Sequence, residues 1–320
     1  MKHLLTLTVI LLLAPLTALH AATPLRRLNI LHIHADDHRA DGVAALGNLS
    51  LKTPNLDSLV ASGFSFTHCY TMGSMVGAVC QPSRTMMLTS KSWLRIPKPS
   101  GGDSDKTLPK VMSRAGYETW HCGKGDNEYT TGLVAFDTNI LMNDHSANPR
   151  RGSSERHADA AIKFLQERKA DKPFYIYLAP PVPHDPRLAA PEFHGMYRAK
   201  NIPLPPAFMP LHPFDNGEMT VRDEKLAPWP RTPEDTKQQL ADYYACITGL
   251  DHHLGRIFAE LKKVVSGRIL SSSSLATMGC LSASTGCSEN KTSMSSAACM
   301  CRVSSLDQAY RKARARRSFT

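Results

Sequence analysis

The stretch Leu28-Asn29-Ile30-Leu31-His32-Ile33-His34-Ala35-Asp36-Asp37-His38 decides how this chain is read. Its first eight residues alternate and are rich in branched apolar side chains, the pattern of a strand with two unlike faces. The strand then runs into two adjacent carboxylates. Acids crowded side by side at a strand's C-terminal edge repel one another unless a cation neutralises them. Asp36 and Asp37 are therefore either a solvated turn or part of a cation site.

Working outward, Thr53-Pro54-Asn55-Leu56-Asp57-Ser58-Leu59-Val60-Ala61-Ser62-Gly63 reads as a short helix. Proline suits its first turn and glycine its end. A second strand is expected at about 64–67, and Pro173-Phe174-Tyr175-Ile176-Tyr177-Leu178-Ala179 reads as a buried strand stopped by Pro180-Pro181. Leu240, Tyr243, Ile247, Leu250, Leu254, Ile257 and Leu261 recur at steps of three and four, which gives a helix one apolar face. Strands alternating with helices argue for an α/β fold around a sheet. The proline-rich stretch 202–233 is expected to be a long surface excursion on the substrate side.

The 320 residues are 42% apolar, 7% aromatic and 21% charged, which excludes a disordered tail protein and a fibrous repeat. A formal net charge of +10 raises the question of nucleic acid. That charge sits mostly at the ends: residues 264–320 hold eight Lys and Arg against two acids. The body is nearly balanced, so no nucleic-acid partner is expected.

Residues 1–22 carry Lys2, an apolar run from Leu4 to Ala14 and the small-residue exit His20-Ala21-Ala22, the pattern of a signal peptide cleaved near Ala21 or Ala22. A membrane span needs about 20 apolar residues, and Pro15 and His20 interrupt this run too early. No stable membrane span is expected, and the location is secreted or periplasmic. Export permits disulfides, but the pairing of the eight cysteines cannot be deduced from their spacing. No CxxC recurs with a matching His pair, so zinc is not expected.

The second chemical signal is Cys80-Gln81-Pro82-Ser83-Arg84. Proline in a first turn would place Cys80 at a helix N-terminus, where free N–H groups and the dipole favour an anion. Arg84, four residues on, offers a fork for oxyanions near the same face. A buried structural cysteine is the plain alternative.

These five residues resemble the C-x-P-S-R signature of the type I sulfatases, formylglycine-dependent members of the alkaline-phosphatase-like superfamily. Other stretches follow in the family's order: Asp36-Asp37, Lys52-Thr53-Pro54-Asn55-Leu56-Asp57, Phe66-Thr67-His68-Cys69-Tyr70, Gly116-Tyr117 leading to Gly123-Lys124, and Pro183-His184-Asp185-Pro186-Arg187. The resemblance covers about 29–263, and the last motif looks nearest to iduronate- and choline-sulfatase-like members. It implies an alkaline-phosphatase-like mixed sheet flanked by helices, with the C-terminal part missing. It also implies a sulfuric ester hydrolase acting on a sulfate monoester, with sulfated polysaccharide preferred as the substrate.

By that resemblance Cys80 is converted to formylglycine by a sulfatase-maturing enzyme. One hydroxyl of the hydrated aldehyde attacks sulfur, and the other helps expel sulfate as the aldehyde re-forms. Asp36 and Asp37, with the modified Cys80, hold one calcium ion. Arg84 holds the formylglycine and the metal carboxylates. Lys124 contacts a sulfate oxygen, and His184 hydrogen-bonds the sulfate or protonates the leaving alcohol. The family usually places a histidine two residues after the lysine, but this chain has Gly123-Lys124-Gly125-Asp126. His121 does not occupy the matching place.

Past residue 263 the character changes. Residues 264–320 contain 14 serines and four of the eight cysteines, with no sustained period. The family continues here with a strand ending in S-D-H-G or S-D-N-G and then a lysine. Reading codons across their boundaries from Ser266 to Ser295 permits a β-branched strand, an S-D-H-G turn and a G-K-Q-N-L-Y-E stretch. Met278-Gly279 is forced to give Gly, while most other junctions leave a choice. A one-nucleotide shift near 263–267 is therefore expected, with 23–263 the N-terminal portion of a sulfatase domain and 264–320 an aberrant basic tail. The chain as written is then expected to be inactive. The competing reading of the tail is an evolved polyanion- or membrane-binding segment. For the body, the alternatives are a phosphoester or phosphonate hydrolase and a non-catalytic sulfated-glycan binder.

Overall fold

The computed structural model describes residues 27–66, 80–96, 104–123, 130–142, 153–169, 172–206, 208–211, 227–266, 275–282 and 299–303. The leader, Cys69, Lys124, most of the tail and 212–226 lie outside the described residues. Seven strands form one sheet: β1 (Asn29–Asp36), β2 (Phe64–Phe66), β3 (Glu118–Gly123), β4 (Thr138–Leu141), β5 (Phe174–Ala179), β6 (Leu275–Ser282) and β7 (Cys299–Val303). Their order is β2-β7-β6-β1-β5-β3-β4. The β1, β3, β4, β5 and β6 pairs are parallel, whereas β7 runs antiparallel to β2 and β6. The sheet is mixed, as the resemblance implies.

The alternation in β1 separates two layers. Leu31, Ile33 and Ala35 join Trp120, Cys122, Phe174, Ile176 and Leu178 in the principal core. Against that face pack α1 (Pro54–Ser62), α5 (Ser153–Glu167) and α7 (Pro233–Ser266). The other face holds Tyr175, Tyr177 and Ala179 with Leu88 of α2 (Cys80–Thr89), Leu133 of α4 (Thr130–Leu133) and Phe136.

All seven apolar positions expected on the long helix are buried in α7. Its N-terminal part packs Leu240, Tyr243 and Ile247 against Leu51, Tyr197 and Phe193 of the short helix α6 (Pro191–His194), while Leu250 onward joins the principal core. One helix thus ties together the two parts of the body. Asp251 does so by accepting hydrogen bonds from the N–H groups of Leu56 (2.7 Å) and Asn55 (3.2 Å), which caps α1 from outside. The short helix α3 (Leu108–Arg114) ends through Gly116, whose φ of +85° suits glycine and turns the chain into β3.

Two strands come from the stretch past 264, whose composition gave no reason to expect sheet. Their physical ground is an edge to be filled: without β6, the hydrogen-bonding groups of β1 on that side would lie open. β6 pairs with β1 along its whole length, from Asn29–Leu275 to Asp36–Ser282. Among the described residues, no helix is long and apolar enough to cross a membrane.

Candidate active site

β1 delivers Asp36 to the C-terminal edge of the sheet, where its N–H donates to the Val182 carbonyl at 3.1 Å. An isolated parallel bridge between Asp36 and Pro183 lays the chain leaving β5 beside it. The next residue, Asp37, has φ of 59°, a left-handed conformation that non-glycine residues seldom take. A hydroxyl from α7 holds that turn: Tyr243 donates to the Asp37 carbonyl at 2.6 Å and accepts from the Arg39 N–H at 2.8 Å.

Cys80 opens α2 and is 6% exposed. One turn on, Arg84 is 1% exposed, and its Nη2 lies 3.2 Å from Asp36 Oδ1. His184 follows β5. Its Nδ1 is 2.6 Å from the Asp185 carbonyl and 3.2 Å from Asp185 Oδ1. Its Nε2 is 3.5 Å from Asp37 Oδ2. A carbonyl only accepts, so Nδ1 carries a proton, and Nε2 faces the acids. Ligand-capable atoms of Asp36, Cys80 and His184 all lie within 4.8 Å of one another, as do those of Asp37, His184 and Asp185.

Five of the six residues expected at the site therefore meet: Asp36, Asp37, Cys80, Arg84 and His184. Lys124, the sixth, lies outside the described residues. Counting Asp36, Asp37 and Arg84 as charged leaves one excess negative charge, all three groups being under 9% exposed. A divalent cation suits that imbalance.

Sequence reasoning missed the polar layer under the site. His32 and His34 share the Asp36 face of β1 and meet the Tyr175 and Tyr177 hydroxyls at 3.1 and 2.9 Å. His121 stacks on Tyr177 with ring centroids 5.1 Å apart and meets Asn139 Oδ1 at 2.8 Å. Burial lowers His32 to about 4, helped by the Arg84 charge. Burial likewise lowers His121 to about 3 against the opposing Asn139 bond. The His32 and His121 rings are therefore neutral near pH 7 and add no charge beneath the Asp36–Arg84 pair. Gly123 is needed here: a Cβ would lie 2.8 Å from both His121 Nε2 and the Ala179 carbonyl. The alternating His-x-His in β1 and Tyr-x-Tyr in β5 were the available signal for this layer.

An α/β sheet whose edge gathers two acids, a thiol at a helix start, a buried arginine and a histidine defines a centre built for a divalent cation and an oxyanion. Comparison with known proteins takes this further. The family model described as Sulfatase matches residues 28–266, and the chain belongs to the sulfatase family. It is similar to the N-acetylglucosamine-6-O-sulfatase of Bacteroides thetaiotaomicron, 28% identical over 223 residues, 62% of this chain and 39% of that protein. The chain spans less than two thirds of the curated relatives it matches first.

In fold it resembles BT4656, solved in complex with its substrate D-Glucosamine-2-N, 6-O-disulfate. The TM-score is 0.62 at 20% identity, over 87% of this chain and 71% of that one. It resembles equally the phosphonate monoester hydrolase of Agrobacterium radiobacter, with TM-score 0.62, 20% identity, and 86% and 68% covered.

Proposed function

We propose that the chain carries the nucleophile-bearing portion of an exported hydrolase for sulfate monoesters of carbohydrates. In this reading a sulfatase-maturing enzyme converts Cys80 to formylglycine, whose hydrated aldehyde supplies the attacking hydroxyl. Asp36 and Asp37 hold calcium. Arg84 fixes Asp36 and the residue at position 80, Lys124 binds a sulfate oxygen, and His184 meets the ester or its leaving oxygen. The approach of Cys80 to Asp36 and His184 within 4.8 Å carries the reading. The carbohydrate assignment draws support from the named substrates of the relatives.

The test is co-expression with a sulfatase-maturing enzyme and mass spectrometry of the Cys80 peptide. The aldehyde is expected; an intact thiol, beside a control sulfatase that is converted, overturns the reading.

The 320-residue chain itself is proposed to be inactive, because 264–320 stands in a shifted frame. The family match ends at 266, and the register partner of Asp36 on β6 is Ser282 rather than an acid. Resequencing the gene tests the shift, and an aryl sulfate assay tests the activity. Turnover comparable to a complete sulfatase refutes this part.

A second reading, phosphonate or phosphate ester hydrolysis, has support in the equal fold likeness to the Agrobacterium enzyme. Rates on paired sulfate and phosphate esters, measured on a frame-repaired gene, separate the two.

A further inference from the structure

We propose that, before Cys80 is converted, its thiolate binds zinc together with Asp36 and His184, and that conversion changes which metal this centre prefers. The zinc site stands on the geometry alone, whereas the change of metal preference rests on the conversion of Cys80 in the sulfatase reading.

The donors come from three elements: the end of β1, the start of α2 and the segment after β5. Their ligand-capable atoms lie within 4.8 Å of one another, and all three residues are buried. Zinc bonds of about 2.0–2.3 Å in a tetrahedron put donors about 3.5 Å apart, so side-chain rotations of roughly an ångström close the site. Asp37 Oδ2 lies 3.5 Å from His184 Nε2 but belongs to the neighbouring group with Asp185, so the three donors are Asp36, Cys80 and His184.

The histidine is already arranged as a ligand. Its Nδ1–H donates to the Asp185 carbonyl, and the carboxylate of the same residue lies 3.2 Å away. Metal-binding imidazoles are usually held in this way by their outer neighbours. Arg84 holds Asp36 through Oδ1 and fixes that carboxylate.

The chemistry of the donors decides the metal. Sulfur, imidazole nitrogen and carboxylate oxygen together suit zinc, whereas calcium takes six to eight oxygens, roughly, in its shell. Binding converts the Cys80 S–H into a sulfur–zinc bond and releases the proton to solvent. Conversion of Cys80 removes the sulfur and puts hydroxyl oxygen in its place, which shifts the set toward harder cations. Cysteine spacing gave no hint of this, because the donors are gathered by the sheet edge and not by a local loop.

The experiment uses the full 320-residue chain made without a maturing enzyme, its Cys80 thiol verified by peptide mass spectrometry. Cobalt(II) serves as the coloured stand-in. A thiolate-to-cobalt charge-transfer band is expected, displaced by zinc and lost in Cys80→Ser. The band is expected to persist when Cys280, Cys287, Cys299 and Cys301 of the tail are changed together to Ser.

On the unmutated chain, zinc is expected to slow alkylation of Cys80 by about tenfold or more while leaving Cys122 and Cys246 unaffected. A band that survives Cys80→Ser, or zinc without effect on Cys80 alkylation, overturns the proposal. Zinc binding through a Cys80 that no maturing enzyme converts would sink the sulfatase reading alone. A converted Cys80 in a chain blind to zinc would do the reverse.

Discussion

Removing one oxygen atom, by Tyr243→Phe, tests whether α7 holds the turn at Asp37. The hydroxyl donates to the Asp37 carbonyl and accepts from the Arg39 N–H. The ring is 2% exposed, and Arg187 lies 5.6 Å from its centroid, so phenylalanine keeps the packing and the cation–π contact. Two hydrogen bonds disappear at about 1 kcal/mol each, and the carbonyl and N–H they satisfied stay partly buried. The left-handed backbone of Asp37 costs a further 1–2 kcal/mol, roughly, which those bonds offset. A loss of about 2–3 kcal/mol follows, or roughly 5–10 °C in melting temperature for a body of this size.

The effect on the site is separate from the effect on stability. Once the turn relaxes, Asp37 Oδ2 no longer stays 3.5 Å from His184 Nε2, and cobalt affinity is expected to fall about tenfold. Tyr244→Phe is the matched control. Its hydroxyl meets Asn48 Nδ2 at 3.4 Å, a long contact, and it sits on the same helix. It is expected to cost about 0.5 kcal/mol and to leave cobalt affinity unchanged. Urea unfolding and cobalt titration of both variants give the answer. Equal behaviour of the two in both assays refutes the assignment of Tyr243 as a positioning residue.

Two further outcomes are expected. Arg84→Met strands Asp36 as a buried charge and lowers stability by about 3 kcal/mol; adding Asp36→Asn restores part of it, as a double-mutant cycle in urea will read. Acid weakens the fold through the buried histidines. His32 and His121 stay neutral when folded, while their unfolded counterparts take a proton near 6.5. The unfolded state therefore binds more protons below that pH, and stability falls as pH drops toward 4. At pH 5 each ring accounts for about 2 kcal/mol, and His32→Gln is expected to flatten the slope of the urea midpoint against pH.

Much of this was legible in the sequence because the informative residues are local. The alternation of 28–35 gave both faces of β1, Pro54 and Gly63 bounded α1, and the three-and-four spacing marked the buried face of α7. Cys80-Gln81-Pro82-Ser83-Arg84 put the thiol at a helix start and the arginine one turn on, as observed. Tyr243 was read only as a core residue, since nothing in a helical period tells a hydroxyl where it points. Asp185 was quoted within a motif without a role, because its value comes from a carbonyl turned toward its neighbour's ring. The strands from 275–282 and 299–303 had no β pattern to announce them. They sit where an open sheet edge accepts a partner, and backbone pairing asks little of side chains.

The same sheet edge links the fold to the question of the tail. Asp36 is placed by its own strand, by Val182 on one side and by β6 on the other, so its surroundings depend on what lies beside β1. Asp37 depends on Tyr243 of α7, which lies well before residue 263. The two acids are thus held by different parts of the molecule. Replacing the sequence after 266 alters the neighbour of Asp36 and leaves the Tyr243 clamp on Asp37 untouched. A frame-repaired gene should accordingly change cation affinity through the Asp36 side of the centre, while Tyr243→Phe weakens it by the same factor in either frame.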